Sequence, residues 1–351
     1  MKSRMKEVFG WEENPFSFKI LPEYFVGHQE DLAVLQEGIA NENKVALLLG
    51  PTGSGKTTLL RYISDQFPHH RVIFLAKPPK DPQDWVAVFA EITRPGFFGR
   101  LFHRGNGIGL YNLSQKISSK LNSDRCLLFV DECHEATQES LEWLRAITDQ
   151  VDNLTVVLAG LPIFENDLKD NLETYLRRVT VRVDLASLTP AETREFIKKR
   201  IEGVGGDDVR PFTSSVIDHI YQKTGGFPRE VLRLCNELFQ RALEKGLSTI
   251  DVNLLQETDL GQELSRDTVE TLPDRQKLIM SLLAKEGELT PTEMVKKVQA
   301  KGEYKDTDNA IRSVNNLVRR LLSDGLVERK KTGKAYKYRI SPRYQTLFIE
   351  A

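Results

Sequence analysis

The stretch VALLLGPTGSGKTT, residues 45–58, decides the fold of this 351-residue chain. Five apolar residues come first, a loop with three glycines follows, and the remaining residues favour a helix. Gly50–Thr57 fits the pattern G-x-x-x-x-G-K-[ST], in which backbone N–H groups turn inward around phosphate oxygens. The alternative is a glycine-rich loop that binds nothing. The apolar run before it and the helical pattern after it favour phosphate binding.

Each part of this loop has an expected role. Lys56 is expected to reach the β- and γ-phosphates of a nucleotide, and the Thr57 hydroxyl is expected to ligate Mg²⁺. The predicted cofactors are therefore ATP or ADP and Mg²⁺. The predicted nucleotide contacts in the loop are Pro51, Thr52, Gly53, Ser54, Gly55, Lys56, Thr57 and Thr58.

A second motif is the apolar run Cys126–Val130, which ends in Asp131 and Glu132. On a buried parallel strand these acids emerge at the carboxyl end, where ligands bind in open α/β sheets. Asp131 is expected to hold the metal, and Glu132 to polarise an attacking water as a catalytic residue. The alternative is a strand followed by an acidic helix start, which favours Asp and Glu for electrostatic reasons.

Apolar runs and helical stretches alternate over the first half of the chain, which indicates an α/β fold. The runs predict five strands of a parallel sheet covered on both faces, at 45–49, 71–76, 126–130, 154–159 and 179–185. Beyond Leu185, a capping box at Thr189–Glu192 begins a series of amphipathic helices. We therefore predict a nucleotide-binding domain at 1–186 and a helical domain at 187–260.

The last 83 residues, 269–351, have the pattern of a winged helix-turn-helix domain: three helices and then a hairpin. The whole chain carries 49 Lys and Arg against 50 Asp and Glu, whereas residues 270–351 carry 17 against 11. A basic tail on an acidic body predicts that a polyanion is held by this domain.

Composition excludes several classes of protein. The three cysteines form no close pair of the kind that binds zinc, and no disulfide framework is expected. No segment approaches the ~20 apolar residues of a membrane span, and the amino terminus lacks the apolar core of a signal peptide. We expect a cytoplasmic protein without a membrane partner.

These landmarks together resemble the AAA+ superfamily over nearly the whole chain. The nearest groups are replication initiators of the origin-recognition type and the ATPases of general secretion and transposition. The resemblance implies a P-loop AAA+ fold: a five-stranded parallel sheet, a helical lid and a winged helix. It also places adenine near Phe25–Glu30, with Val26 and Gly27 as contacts.

Two arginines receive catalytic roles only through this resemblance. Gly225–Arg229 is similar to the sensor 2 segment of the lid, so that Arg229 would contact the γ-phosphate. Arg178 would act as an arginine finger in a neighbouring subunit, and Arg177 is an alternative with the same chemistry. One departure is that the fourth strand ends in Ala159-Gly160, where many AAA+ proteins have a polar sensor 1 residue.

DNA contact is predicted for one helix and the hairpin of the winged helix. Arginine and asparagine read base edges in the major groove, and a basic hairpin suits phosphates. The predicted DNA contacts are Arg312, Asn316, Arg319, Arg320, Arg329, Lys330, Lys331 and Lys334. The alternatives are a protein-docking module and a solvated edge strand guarded by lysines.

A loop at 94–106 mixes aromatic and basic residues, and it is a second candidate for DNA contact or for a subunit contact.

The sequence therefore predicts a DNA-binding AAA+ ATPase, an ATP hydrolase whose nucleotide state controls assembly on DNA. The setting would be replication initiation, recombination or mobile-element maintenance. Duplex DNA is the expected partner, with other copies of the chain or other AAA+ subunits. The alternative is a nucleotide-gated protein-docking switch with little or no hydrolysis, which the missing sensor 1 residue favours. A third hypothesis is an ATPase of the secretion type.

Overall fold

The computed structural model describes residues 2–93, 109–256, 272–300, 307–332, 335–342 and 344. Two compact units divide the chain. The sheet unit comprises residues 29–50 and 56–185, and the helical unit comprises residues 1–28, 51–55 and 186–351. This grouping does not test the three predicted domains, which stay a prediction.

A parallel sheet of five strands forms the sheet unit within the described residues. Its strands are β1 (Val45–Leu49), β2 (Arg71–Leu75), β3 (Cys126–Val130), β4 (Leu154–Gly160) and β5 (Val179–Asp184), in the order β2-β3-β4-β1-β5. Every residue of β1, β3 and β4 is buried, as continuous apolar runs require. The prediction of a five-stranded parallel sheet is confirmed.

Helices cover the sheet and fill its core. In chain order they are α2 (Gln29–Ala40), α3 (Lys56–Asp65), α4 (Asp84–Val88), α5 (Ala90–Thr93), α6 (Leu110–Leu121), α7 (Gln138–Gln150), α8 (Ile163–Asn171) and α9 (Glu173–Leu176). A short 3-10 helix, Cys133–Glu135, follows β3. Trp85 and Phe89 are fully buried in this core, so they anchor the segment 84–93.

The helical unit has its own core, to which the amino-terminal segment contributes. Helices α1 (Lys2–Phe9), α10 (Pro190–Glu202), α11 (Ser214–Thr224), α12 (Pro228–Lys245) and α13 (Val252–Gln256) belong to it. Met5, Trp11 and Phe16 pack with Phe239 of α12. Buried Arg200 donates to the carbonyl oxygens of residues 15, 17 and 19. These contacts hold residues 15–19 against the helices of this unit.

The remaining elements form the predicted winged helix. They are α14 (Asp274–Glu286), α15 (Pro291–Ala300), α16 (Thr307–Ser323), β6 (Val327–Thr332) and β7 (Ala335–Ile340). The two strands pair antiparallel, and Leu289 adds a bridge to Tyr338. Glu328 of β6 is buried, accepts two hydrogen bonds from Arg339, and accepts one from the Ser187 backbone at 3.3 Å. A carboxylate buried in this way needs such partners.

None of the helices in the described ranges has the length and apolar character needed to cross a membrane.

Candidate functional site

The phosphate-binding motif lies between β1 and α3, as its sequence predicts. Gly53 has φ +81° and Gly55 has φ +99°. Glycine adopts this left-handed region without steric cost, so the loop can present successive backbone N–H groups. Ser54 is buried, and its hydroxyl has no hydrogen-bond partner among the described residues. A buried polar atom of this kind is available to a ligand.

Lys56 is a buried cation in the first turn of α3. Its side chain is only 6% exposed, and its Nζ donates to the Gly50 carbonyl oxygen at 2.9 Å. Burial lowers the pKa of Lys56, and the negative charges of Glu132 and Asp131 oppose that shift. The ammonium group is therefore held in a desolvated position, where it attracts an anion more strongly than in water.

Thr57 and Asp131 meet where the phosphate loop and β3 come together. The Thr57 hydroxyl donates to Asp131 Oδ2 at 2.5 Å, and Asp131 is 3% exposed. Hydroxyl and carboxylate oxygens are ligands that Mg²⁺ accepts, and this ion usually retains waters and phosphate oxygens. The described residues contain no group of three or more His, Cys, Asp or Glu side chains that could hold a metal alone. The pair fits a metal ion shared with a phosphate.

Glu132 has an unusual backbone conformation. Its φ of 52° and ψ of 37° lie in the left-handed region, and its N–H donates to Asp131 Oδ1 at 2.8 Å. Its side chain is 39% exposed, and its Oε2 lies 3.4 Å from His134 Nδ1. Strained backbone is often found at functional sites, where the surrounding structure holds it. The proximity of His134 has no counterpart in the sequence predictions, because the contact depends on that backbone turn.

Arg229 lies against the tip of the phosphate loop within the helical unit. Its backbone N–H donates to the Gly53 carbonyl oxygen at 3.4 Å, and its side chain is exposed. A Cβ added to Gly53 would be 2.9 Å from the Arg229 Cβ. The structure therefore brings the predicted sensor 2 residue to the loop, and it explains why residue 53 has no side chain.

The same loop tip lines a small cavity together with the winged helix. Pro51, Thr52 and Arg229 share this cavity of about 140 Å³ with the turn Ser323–Gly325 and with Tyr344. The turn follows α16, the helix predicted to contact DNA.

The predicted adenine contacts, Val26 and Gly27, lie in the segment before α2. Val26 is buried, and Gly27 has φ +78°. A Cβ on Gly27 would meet the Glu192 carboxylate at 2.8 Å, and the His28 N–H donates to the same carboxylate at 3.1 Å. Burial would raise the pKa of Glu192, but hydrogen bonds from Thr189 and His28 lower it overall. The segment is thus tied to the start of α10.

Both arginine-finger candidates have partners within the sheet unit. Arg178 Nε donates to Asp149 Oδ1 at 2.5 Å, and its Nη1 donates to the Thr174 carbonyl oxygen. Arg177 forms an exposed ion pair with Glu173 at 2.8 Å. A role for either arginine in a neighbouring site would require it to exchange these partners.

Most of the predicted DNA contacts that are described lie exposed on the winged helix. Arg312, Asn316, Arg319 and Arg320 are exposed on α16, whose opposite face packs through Val314, Val318 and Leu321. Lys330 and Lys331 are exposed on β6, and the Arg329 guanidinium lies 4.9 Å from the centre of the Tyr336 ring. Lys334 and the loop 94–106 lie outside the described residues.

Comparison with protein-family models matches residues 40–168 to an AAA domain. These residues therefore resemble an AAA domain. The matched range includes the phosphate loop, Asp131, Glu132 and most of the sheet.

Two curated relatives extend the resemblance beyond this AAA domain. One is general secretion pathway protein A of Aeromonas hydrophila, 27% identical over 253 residues, which are 68% of this chain and 45% of that protein. This chain therefore spans about half the length of that relative. The other is an ORC1-type DNA replication protein of Methanothermobacter thermautotrophicus, 23% identical over 297 residues, 82% of this chain and 78% of that protein.

A solved structure of the Aeropyrum pernix ORC2 protein, in ADPNP and ADP complexes, has the same fold. It aligns with a TM-score of 0.57 and 13% identity, covering 96% of this chain and 95% of that protein. The five-stranded sheet and the carboxyl-terminal winged helix of this chain thus share the fold of that protein. The resemblance to origin-recognition and general-secretion proteins is confirmed.

Proposed function

We propose that this chain is a DNA-binding AAA+ ATPase whose nucleotide state controls its assembly on DNA. The reaction is hydrolysis of ATP by water to ADP and phosphate. The observation that carries the proposal is the contact of Thr57 with Asp131 at 2.5 Å. It joins the phosphate-loop helix to the acidic strand end, which is the arrangement that metal-assisted phosphoryl transfer needs.

Different residues of this site have different roles. The loop N–H groups and buried Lys56 bind the phosphates, and Thr57 and Asp131 hold Mg²⁺. When bound, this ion neutralises charge on the phosphate oxygens. Glu132 orients the attacking water and accepts its developing proton. Lys56 is already desolvated, so its interaction with phosphate oxygens is worth more than that of an exposed lysine.

Arginines from the lid and from a neighbouring subunit complete the proposal. Arg229 lies at the tip of the loop and contacts the γ-phosphate from the lid. Val26 and Gly27 contact the adenine. Arg178 enters the site of an adjoining subunit and stabilises the transferred charge, as an arginine finger does. Because Arg178 is paired with Asp149 in the single chain, subunit assembly has to break that pair.

The winged helix supplies the DNA contacts. The arginines on α16 and Lys330 and Lys331 on β6 are exposed, and residues 270–351 carry 17 basic against 11 acidic residues. The ORC1-type DNA replication relative supports a role on DNA. We place the function in replication initiation, recombination or mobile-element maintenance, in the cytoplasm. The cavity shared by Thr52, Arg229 and the turn after α16 supports coupling between nucleotide and DNA.

A second candidate is a nucleotide-gated switch that docks proteins and hydrolyses little ATP. One observation favours it: Ala159 and Gly160 at the end of β4 provide no polar side chain where many AAA+ proteins have sensor 1. Sensor 1 helps to position the attacking water in those proteins. A chain that lacks it can bind nucleotide and change conformation with slow turnover.

The test is ATP turnover with and without duplex DNA, beside DNA binding with and without nucleotide. We expect turnover that Glu132→Gln abolishes while ATP stays bound, because the amide keeps the shape of the side chain but cannot accept a proton. Glu139→Gln, an exposed acid on α7, is the matched control and should turn over normally. Nucleotide-dependent DNA binding without turnover in any chain would favour the switch instead.

A further inference from the structure

His134 lies beside Glu132, and the proposed mechanism has given it no role. Its Nδ1 is 3.4 Å from Glu132 Oε2, and the two side chains are 19% and 39% exposed. The Nδ1 atom itself is buried and forms no geometrically good hydrogen bond within the described residues. A buried imidazole nitrogen directed at a carboxylate needs an explanation, because such atoms are normally satisfied.

The end of β4 lies beside the short helix that carries His134. Gly160 pairs with Leu49 of β1. A Cβ on Gly160 would lie 3.4 Å from the His134 backbone nitrogen and 3.5 Å from Phe164, which are ordinary van der Waals distances. The strand end without a polar side chain and His134 are therefore close neighbours.

We propose that His134 is a positioning residue that holds the Glu132 carboxylate and replaces the polar contact missing from the end of β4. The proposal rests on the ATPase function proposed above. With its proton on Nδ1, the imidazole donates to Oε2, and Oε1 stays available to a water molecule. The strained backbone of Glu132 sets the direction of the carboxylate, and His134 limits its rotation.

Other charged groups near His134 do not compete for this contact. Glu135 is engaged by Lys77 at 2.9 Å, and that pairing lowers the pKa of Glu135. Burial and the charge of Asp170 raise the pKa of Asp167 of α8, and the charge of His134 opposes that shift. Among these carboxylates, Glu132 is the one with an oxygen within 4 Å of Nδ1 in the described residues.

The test is the kinetics of three variants of the full chain. We expect His134→Ala to lower kcat by about tenfold or more, the loss typical of an orienting partner, and to leave ADP affinity unchanged. His134→Asn places an amide nitrogen close to the position of Nδ1 and should retain most of the turnover. His69→Ala removes an exposed histidine before β2 and should behave as the unaltered chain.

Three outcomes would overturn this role. Turnover of His134→Ala equal to that of the unaltered chain would remove the contact from the mechanism. Equal losses in His134→Ala and His134→Asn would show that the ring matters only through packing. No turnover in the unaltered chain would instead overturn the ATPase proposal itself, and the positioning role with it.

Discussion

At the scale of single residues, the buried ammonium group of Lys56 carries a desolvation cost. A buried lysine loses hydration, and its lowered pKa records that loss. The Gly50 carbonyl and the charges of Asp131 and Glu132 compensate for it in part. In the proposed function, this buried cation binds the phosphates of a nucleotide.

Lys56→Ala should therefore weaken ATP binding and leave the fold intact. A charge-assisted contact of this kind is worth about 1.5–3 kcal/mol, or roughly 10- to 150-fold in affinity. A fluorescent ATP analogue titrated into the full chain measures the change, and thermal melting checks the fold. Lys120→Ala, an exposed lysine at the end of α6, is the control and should bind normally. Equal affinities of the two variants would contradict the phosphate-loop assignment.

At the scale of elements, Glu192 in the first turn of α10 has two structural roles. Thr189 and Glu192 form a capping box, which satisfies backbone N–H groups of the first turn. The same Glu192 carboxylate accepts from His28, so it also fixes the segment that carries Val26 and Gly27. One side chain thus stabilises a helix and orders the predicted adenine contact.

Glu192→Ala should lower the free energy of unfolding by about 1 kcal/mol, as loss of a cap does, and should also weaken ATP binding. The pKa of Glu192 lies below its ordinary value of 4.5 in the folded chain. The ionised group therefore contributes stability above pH 4.5, and that contribution is lost as the pH falls through the folded pKa.

Denaturant melts at several pH values check this dependence. The stability difference between the unaltered chain and Glu192→Ala should be full near neutral pH and should narrow below pH 4.5. Glu202→Ala changes an exposed acid at the other end of α10 and is the control. A difference that is independent of pH would show that packing, rather than the carboxylate, stabilises the helix.

Local sequence patterns predicted the strands and helix starts well, because strand burial and helix capping depend on residues that are close together in the chain. Apolar patterns marked all five strands, as buried runs in β1, β3 and β4 and as alternation in β5. The structure also has capping boxes at Thr189 and Thr290, where Ser/Thr-x-x-Glu occurs. The strand ends also located Asp131 and Glu132. Strand β5 ends at Asp184 rather than Leu185, a difference of one residue.

Contacts between distant residues could not be predicted in the same way. Nothing in the sequence near Arg178 shows that Asp149 holds it, and nothing near Glu328 shows that its carboxylate is buried. The contact between His134 and Glu132 depends on a left-handed turn at Glu132, which glutamate rarely adopts. Sequence identifies the types of residue, whereas these pairings arise from packing.

At the scale of the whole molecule, charge is distributed unequally. Residues 270–351 have a surplus of six positive charges, although the whole chain has a net charge of −1. The arginines of α16 and Lys330 and Lys331 of β6 are exposed, whereas Arg329 is partly buried. Arg339 is tied to buried Glu328, which raises the pKa of Arg339 against the effect of burial. The surface available to phosphates is therefore smaller than the count of basic residues suggests.

DNA affinity of the full, ATP-loaded chain should fall steeply with salt, with a log–log slope of about −0.9 for each phosphate neutralised. Replacing Lys330 and Lys331 with Ala should weaken binding to all sequences alike and flatten that slope. Titration of labelled duplexes at several salt concentrations measures both effects. Lys285→Ala, at the end of α14, is the control. Undetectable or salt-independent binding by the unaltered chain would contradict a DNA partner.

The left-handed backbone of Glu132 has a consequence for how this chain can change by mutation. An L-residue held there costs about 1–2 kcal/mol relative to glycine, which adopts the same φ without strain. Glycine at position 132 would relieve this strain and would remove the carboxylate at the same time. Conformational stability and the carboxylate that the proposed reaction uses therefore oppose each other at this position.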